Sequence, residues 1–330
     1  MKLKTEECIQ NSVDFLESEL AVKMLEADPY WPKWNSPWWH MLVLHEMGET
    51  KRIPQSSIRK YVESLNRVPV KIFPIHPGEL PENVDPFRGS PCHCQLGNVY
   101  QVLAEWGVDV DQELPWIRPW FLCYQMADGG LNCDSSAYLV KEEIPSSMVG
   151  TIAAFEAILL YTPRPWTNDE VDFLNKTAQW LLRRKLMLGS ATQHNAVERV
   201  SAEQWVKLCF PRFYLYDVLR GLNAILRWGE LMKRSIPSDA INDVVVMLKS
   251  QFSDGSVRIG RQSFENVKTM SPSPTGEEWV WPQPATYFPL LEHVSVVGEV
   301  SPFLTKRWEE AQDLISKVTV IGETAFYDQK

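Results

Sequence analysis

The chain has 330 residues, a net charge of −9, 45% hydrophobic and 23% charged residues, a composition able to fill a large core. The acidic balance, with no long run of one sign, argues against nucleic acid or an anionic membrane as the main partner. No apolar run reaches the roughly 20 residues of a membrane span and no signal-type apolar core follows Met1–Glu7, so a cytoplasmic location is expected.

Helical periodicity begins over Asn11–Glu26, where Val13, Phe15, Leu16, Leu20, Val22, Met24 and Leu25 are apolar and Asn11 or Ser12 can cap. A loop rich in Trp and Pro covers 30–37. A helix over 38–47 is stopped by Gly48, and another spans 55–65. Residues 68–88 carry five prolines and read as an extended connector. Cys94–Trp106 is helical and ends at Gly107. After Asp109 and Asp111, a helix over 114–126 has Pro115 in its first turn. Further helices are expected over 146–160, over 168–186 with Asn168 as cap, and over 213–228 with Gly229 as stop. The last three are 238–249 capped by Ser238, 286–297 stopped by Gly298, and 301–318 with Pro302 in its first turn. Convincing strands are absent; Ser256–Ile259 and Val318–Ile321 suit small hairpin pieces at most.

A degenerate repeat runs through this series. Helices end in glycine (Gly48, Gly107, Gly229, Gly298), a short loop follows, and a second helix runs outward. Two of the second helices end alike, in Gln125-x-x-Asp128-Gly129-Gly130-Leu131 and Gln251-x-x-Asp254-Gly255-Ser256-Val257. Helix pairs that cannot bury their apolar faces alone must stack on their neighbours. About five pairs plus an N-terminal helix make a single all-α domain over 1–330, with 1–29 as the N-terminal helix, 30–318 as the pairs and 319–330 as a tail.

The stretch from Pro91 to Asp134 carries the most chemistry. Cys92, His93 and Cys94 open it, and Cys133 and Asp134 close it. In a reducing compartment, six cysteines at irregular spacing point to free thiols or metal ligands rather than disulfides. If both cysteine-bearing loops lie on one rim of a helix pair, they make a zinc site. Zinc takes about four ligands, and a catalytic site leaves one place to water or substrate. Cys92, Cys94 and Cys133, with His93, Asp134 or His194, supply three or four. The competing reading is that Cys92 and Cys94 are small residues packing the helix start. Cys123 and Cys209 lie on apolar faces and read as core.

The two Gln-x-x-Asp-Gly endings resemble those of the prenyltransferase and squalene-cyclase repeat superfamily. The segments from Trp205 through Asp217 to Leu222 and from Ser146 to Thr151 are also similar to its uncharacterised bacterial members. The resemblance spans roughly residues 30–310 and implies an α/α toroid of five to six hairpins around a cavity. Departures limit what else it implies. The acid motif of squalene-type cyclases is represented only by Asp109-Val110-Asp111-Gln112, in a loop, and no magnesium motif for an allylic diphosphate is present. Protein prenyltransferases and lanthionine-forming cyclases use the same toroid with zinc on a thiolate, and the latter's Cys-His-Gly turn is similar to Cys92–Gly97. The resemblance therefore implies zinc-dependent transferase chemistry on a thiol or isoprenoid-like substrate.

Candidate residues follow from these readings. Cys92, His93, Cys94 and Cys133 would hold zinc. His194 would carry a proton, with Asp217 and Asp128 as acids; Asp128 more simply fixes its turn. Trp38, His40, Arg212, Tyr214, Tyr216 and Trp279 would line an aromatic cavity for an isoprenoid-like or peptide ligand. Two rival functions remain at this point. One is a lipid- or peptide-binding toroid without catalysis. The other is a carbohydrate-active toroid using carboxylates from Asp128, Glu156 and Asp217.

Overall fold

The computed structural model describes residues 4–71, 77–264, 268–273 and 278–320. His76, Glu277 and nearly all of the expected C-terminal tail fall outside them. The fold is mostly helical, as the periodicity predicts. In order, the helices are α1 (Thr5–Glu17), α2 (Glu19–Ala27), α3 (Pro37–Glu46), α4 (Gln55–Arg67), α5 (Pro86–Gly89), α6 (His93–Trp106), α7 (Val110–Glu113) and α8 (Ile117–Cys123). They continue as α9 (Met148–Tyr161), α10 (Asn168–Arg183), α11 (Ala196–Ala202), α12 (Val218–Met232), α13 (Ser238–Gln251), α14 (Pro289–Val294) and α15 (Pro302–Val318).

Several boundaries differ from expectation for identifiable reasons. The first helix is two, because Ser18 turns its oxygen onto the Ala21 N–H and starts α2 afresh. Thr167, not Asn168, caps α10, in a capping box with Glu170. Asp217 caps α12 by accepting from the Arg220 N–H at 2.8 Å, so Phe213, Tyr214 and Tyr216 precede the helix. Gly48 and Gly107 have positive φ and end helices as expected, whereas α14 already stops at Val294 and Gly298, also at positive φ, lies in the turn beyond it. Gly229 does not: it lies inside α12, where a Cβ would meet the Ile236 side chain at 2.9 Å. Strands are present after all. β1 (Ile236–Pro237) pairs in parallel with β4 (Thr319–Val320), and β2 (Lys268–Pro272) pairs antiparallel with β3 (Trp279–Pro284). Three prolines in the strands of that second hairpin, at 272, 282 and 284, hide its period-2 signal.

The helices pack in succession: α3 on α6, α6 on α9, α9 on α12, and α12 on α15. Helices α1, α2 and α4 gather beside α3, and α1 also meets α14. Helices α8, α10 and α13 pack along the flank of α6, α9 and α12. The middle of the succession is the most buried part. Every residue of α6 from His93 to Leu103 is buried, and so is nearly all of α9, the burial expected of helices covered on all sides.

Polar groups cross this interior and are answered there. Arg220 of α12 meets Glu156 of α9 through Nη2–Oε2 at 2.6 Å and Nε at 3.0 and 3.1 Å. Its other donors reach the carbonyls of Phe213 (2.9 Å) and Leu215 (2.8 Å) and Asn98 Oδ1 of α6 (3.3 Å). Burial works to raise the Glu156 pKa, but Arg220 outweighs it and holds the carboxyl below its usual value. Removing one partner of such a pair leaves the other charged and buried, a cost of about 3–5 kcal/mol. Glu156→Leu should therefore lower unfolding stability by about that amount in urea titration. Glu156→Leu with Arg220→Met should cost clearly less than the sum of the two single changes. Additive losses would show that the pair is not a unit.

Candidate metal centre

Cys92 and Cys94 are placed by the start of α6. Cys92 is its N-cap residue, with extended backbone, and Cys94 lies in the first turn. Helix α6 sits hard against α9 because Gly97 has no side chain. A Cβ there would lie 2.4 Å from the Ala153 carbonyl carbon and 2.5 Å from the Ala154 nitrogen. Asn98 Nδ2 donates to the Cys94 carbonyl at 2.8 Å and to the Phe213 carbonyl at 3.3 Å, tying this turn to the segment before α12.

Cys133 arrives on the loop that follows the Gln125–Leu131 turn. Gly129 takes φ 102°, Asp128 Oδ1 accepts from the Gly130 N–H at 3.1 Å, and Gln125 Nε2 donates to the carbonyls of Gly129 and Phe173. The second ending repeats the device, with Gly255 at φ 79° and Asp254 Oδ1 accepting from the Ser256 N–H at 2.9 Å. Leu131 then pairs with Ser147, and its N–H donates to Thr151 Oγ1 at 2.8 Å. The loop is thereby fastened to the beginning of α9, which already packs on α6.

The result is a three-sulfur cluster. Cys92 Sγ and Cys94 Sγ are 3.2 Å apart, the Cys94 N–H points at Cys133 Sγ at 3.4 Å, and all three sulfurs lie within 4.8 Å of one another. A tetrahedral zinc with Zn–S bonds of about 2.3 Å needs sulfurs about 3.8 Å apart, so these separations bracket the requirement. Hydrogen bonds from Cys133 and Cys94 push the Cys92 thiol well below its usual pKa, despite burial. Cys133 is raised by its bonds to Cys92 and Cys94. Cys94 is raised too: its bond with Cys133 acts downward but is outweighed by Cys92 and by burial. The α6 N-terminus, where Cys92 and Cys94 lie, also favours negative charge on these sulfurs.

An aromatic wall and one cation stand beside the sulfurs. Lys33 Nζ donates to the Tyr214 hydroxyl at 3.3 Å and lies 5.0–5.8 Å from the ring centres of Tyr30, Trp31, Trp34 and Tyr214. Burial lowers its pKa, and the charges of Cys94 and Cys92 oppose that shift. Trp34 stacks on Phe213 and Tyr214. The β2–β3 hairpin lies over the same loop, with Thr269 Oγ1 accepting from the Lys33 N–H at 2.7 Å and Trp281 edge-on to Trp31. Sequence reasoning missed Lys33; its signal was a lone cation inside the aromatic run Tyr30–Trp34.

The other expected site residues are dispersed. His93 is outside the sulfur group: its Nδ1 bonds the Asn132 carbonyl at 2.7 Å, its ring packs among Trp120, Tyr124 and Tyr138, and burial lowers its pKa to about 4. It fastens the two cysteine loops together instead of binding with them. His194 also lies apart, with Nε2 2.9 Å from Asp134 Oδ2. Asp128 accepts from Ser146 Oγ and Trp180 Nε1, and Asp217 caps α12, so neither meets the sulfurs. With Glu156 matched to Arg220, the three carboxylates considered for sugar chemistry all hold structure. Asp109 caps α7, and Asp111 pairs with Arg118 at 2.8 Å. Trp38 stacks on Tyr61, the Tyr216 hydroxyl donates to the Leu186 carbonyl at 2.7 Å, and Arg212 meets Glu46. Trp279 covers the Arg88 guanidinium. Of the six expected lining residues, only Tyr214 stands at the sulfurs. Cys209 is buried as expected, whereas Cys123 is exposed.

No family model, curated protein or solved structure matches the chain. No helix among the described residues is long and apolar enough to cross a membrane.

His40 packs between Phe15 (4.3 Å) and Phe288 (3.6 Å), beside a cavity of about 300 Å³, and burial lowers its pKa to about 3. A histidine held neutral in the folded chain stabilises it fully above the unfolded pKa of 6.5, and that contribution is lost as pH falls towards 3. Relative to His40→Phe, the native protein should lose about 2 kcal/mol of stability between pH 7.5 and pH 5. Urea titrations of both proteins at each pH check this, since other groups cancel in the difference. Parallel profiles would place an ordinary, titrating imidazole at position 40.

Proposed function

We propose that this chain is an α/α toroid of the prenyltransferase and squalene-cyclase kind whose three-cysteine cluster holds one zinc ion and takes a thiol substrate. The co-substrate would be an isoprenoid-like or other soft carbon electrophile: the thiolate sulfur would form the new S–C bond as that carbon's bond to its leaving group breaks, and the leaving group would depart with the electron pair. The observation that carries the proposal is the convergence of three sulfurs from two segments 39 positions apart in sequence. The succession α3, α6, α9, α12 and α15, with helices along its flank, supports a ring of hairpins. So do the two matching Gln-x-x-Asp-Gly turns.

Three protein sulfurs leave one position of a tetrahedral site to substrate. When bound there, zinc supplies deprotonation of a coordinated thiol near neutral pH. The chain's own residues do the rest. The α6 N-terminus and the Cys94 N–H favour the thiolate form of the cluster. Three thiolates and a divalent ion carry a net charge of −1, and Lys33 is the cation beside them. Tyr30, Trp34, Phe213 and Tyr214 offer an apolar surface to the carbon part of a substrate and restrict water.

Protein purified with zinc present should contain about one zinc per chain by elemental analysis, and Cys133→Ser should lose it. A metal-free wild-type protein would end the proposal and leave the reading of a binding toroid without catalysis. Residues that support the charge of a metal site from outside its ligand set change affinity about 10- to 100-fold when removed. Lys33→Met should weaken zinc binding by that factor in chelator competition, and Lys33→Arg should keep most of it. Equal affinities in all three proteins would remove Lys33 from the centre.

A further inference from the structure

A cavity of about 300 Å³ lies between α1, the start of α3 and the entry to α14. That volume is at the lower end of the range of small-molecule sites. Asn11, Ser12 and Phe15 come to its wall from α1, Asn35 from the loop before α3, His40 from α3, and Phe288 from the N-cap of α14. None of the described residues on this wall is charged. The cavity shares no lining residue with the sulfur cluster.

His40 is the group on this wall whose bonding is incomplete. It is 4% exposed, and among the described residues neither Nδ1 nor Nε2 has a hydrogen-bond partner. Burial holds the ring neutral, which leaves it one N–H donor and one bare nitrogen acceptor. Phe288 stacks on the imidazole with ring centres 3.6 Å apart, and Phe15 lies 4.3 Å from it, tilted by 32°. With aromatic rings on its faces, the imidazole borders the cavity by its edge, and the edge carries the two nitrogens. Buried donors and acceptors are nearly always answered, and the space beside this pair is the cavity.

We propose that this cavity binds a small neutral molecule with a flat apolar body and one hydroxyl or amide group, which bonds to the imidazole of His40. The chemistry of the wall selects that class. A charged ligand would meet no opposite charge there and would lose water without compensation. Phe15 and Phe288 offer apolar contact to the body. A hydroxyl or an amide can answer whichever imidazole nitrogen it meets, because each both donates and accepts. The site needs no zinc and stands whether or not the sulfurs bind metal.

NMR titration of the full chain, its histidines labelled with the NMR-active nitrogen isotope, with phenol in one series and toluene in another, tests the proposal. Phenol should shift the ring nitrogens of one histidine saturably, and these should be the signals that His40→Phe lacks. Dissociation constants from backbone amide shifts should give a preference for phenol over toluene about 2- to 12-fold larger in the native protein than in His40→Phe, the range for one hydrogen bond. Asn11→Trp, at an exposed position of the wall, should put an indole into the cavity and abolish the phenol shift. No saturable phenol shift would mean that the cavity holds water only and would overturn the site. So would an equal preference in the native protein and His40→Phe, or a phenol shift that survives Asn11→Trp. If His40→Phe fails to fold, the wild-type and Asn11→Trp titrations still decide.

Discussion

Arg220 brings five oxygen atoms to one guanidinium: both carboxylate oxygens of Glu156, the carbonyls of Phe213 and Leu215, and Asn98 Oδ1. Those groups belong to α6, α9, α12 and the segment that leads into α12. Buried at this depth, each would carry a desolvation cost if left alone. Together they fix how far three central helices are rotated and advanced against one another. The apolar side chains around them supply most of the burial, but they tolerate sliding; a charge pair with fixed geometry does not. The cysteine cluster inherits its precision from this arrangement, because Asn98 holds both the Cys94 turn and the Phe213 carbonyl.

Close approach is the second condition. Gly97 lets α6 and α9 meet backbone to backbone, and the Cys133 loop is fastened to the beginning of α9 through Leu131, Thr151 and Ser147. Two segments that are distant in sequence therefore share one rigid support. Hydrogen bonds from the protein itself thus hold the Cys133 loop, which is how a group of side chains is kept in fixed geometry. His93 belongs to this support. Its bond to the Asn132 carbonyl joins the two loops directly behind the sulfurs.

The two ends of α6 also differ in chemistry. One gathers soft sulfur ligands, aromatic rings and a single ammonium. The other gathers one guanidinium, one ammonium, three carboxylates, an imidazole and a phenol around a small cavity. The helix macrodipole places its positive end at the sulfurs, where thiolate is favoured. Between the ends, Asn98 of α6 meets the Glu156–Arg220 pair.

Helical class, most helix positions and the two Asp-Gly turns were legible in the sequence, because they depend on local periodicity and on backbone conformations that glycine and aspartate favour within a few residues. The pairing of Cys92 and Cys94 with Cys133 was legible as a possibility, since one helix pair separates them. The roles of the polar residues were not. Asp217, Arg212, His40 and His93 read as site residues because polar side chains in apolar surroundings suggest function, yet three of them answer buried backbone or charge and His40 is packed between rings. Lys33 was missed although it stands alone among the aromatic residues Tyr30–Trp34, because nothing local shows that this run will land beside the sulfurs. Sequence sets which groups are available and where the chain can turn; only the packing of α3, α6, α9, α12 and α15 decides which groups meet, because that depends on distances between residues far apart in the chain, such as Glu46 and Arg212 or Lys33 and Thr269.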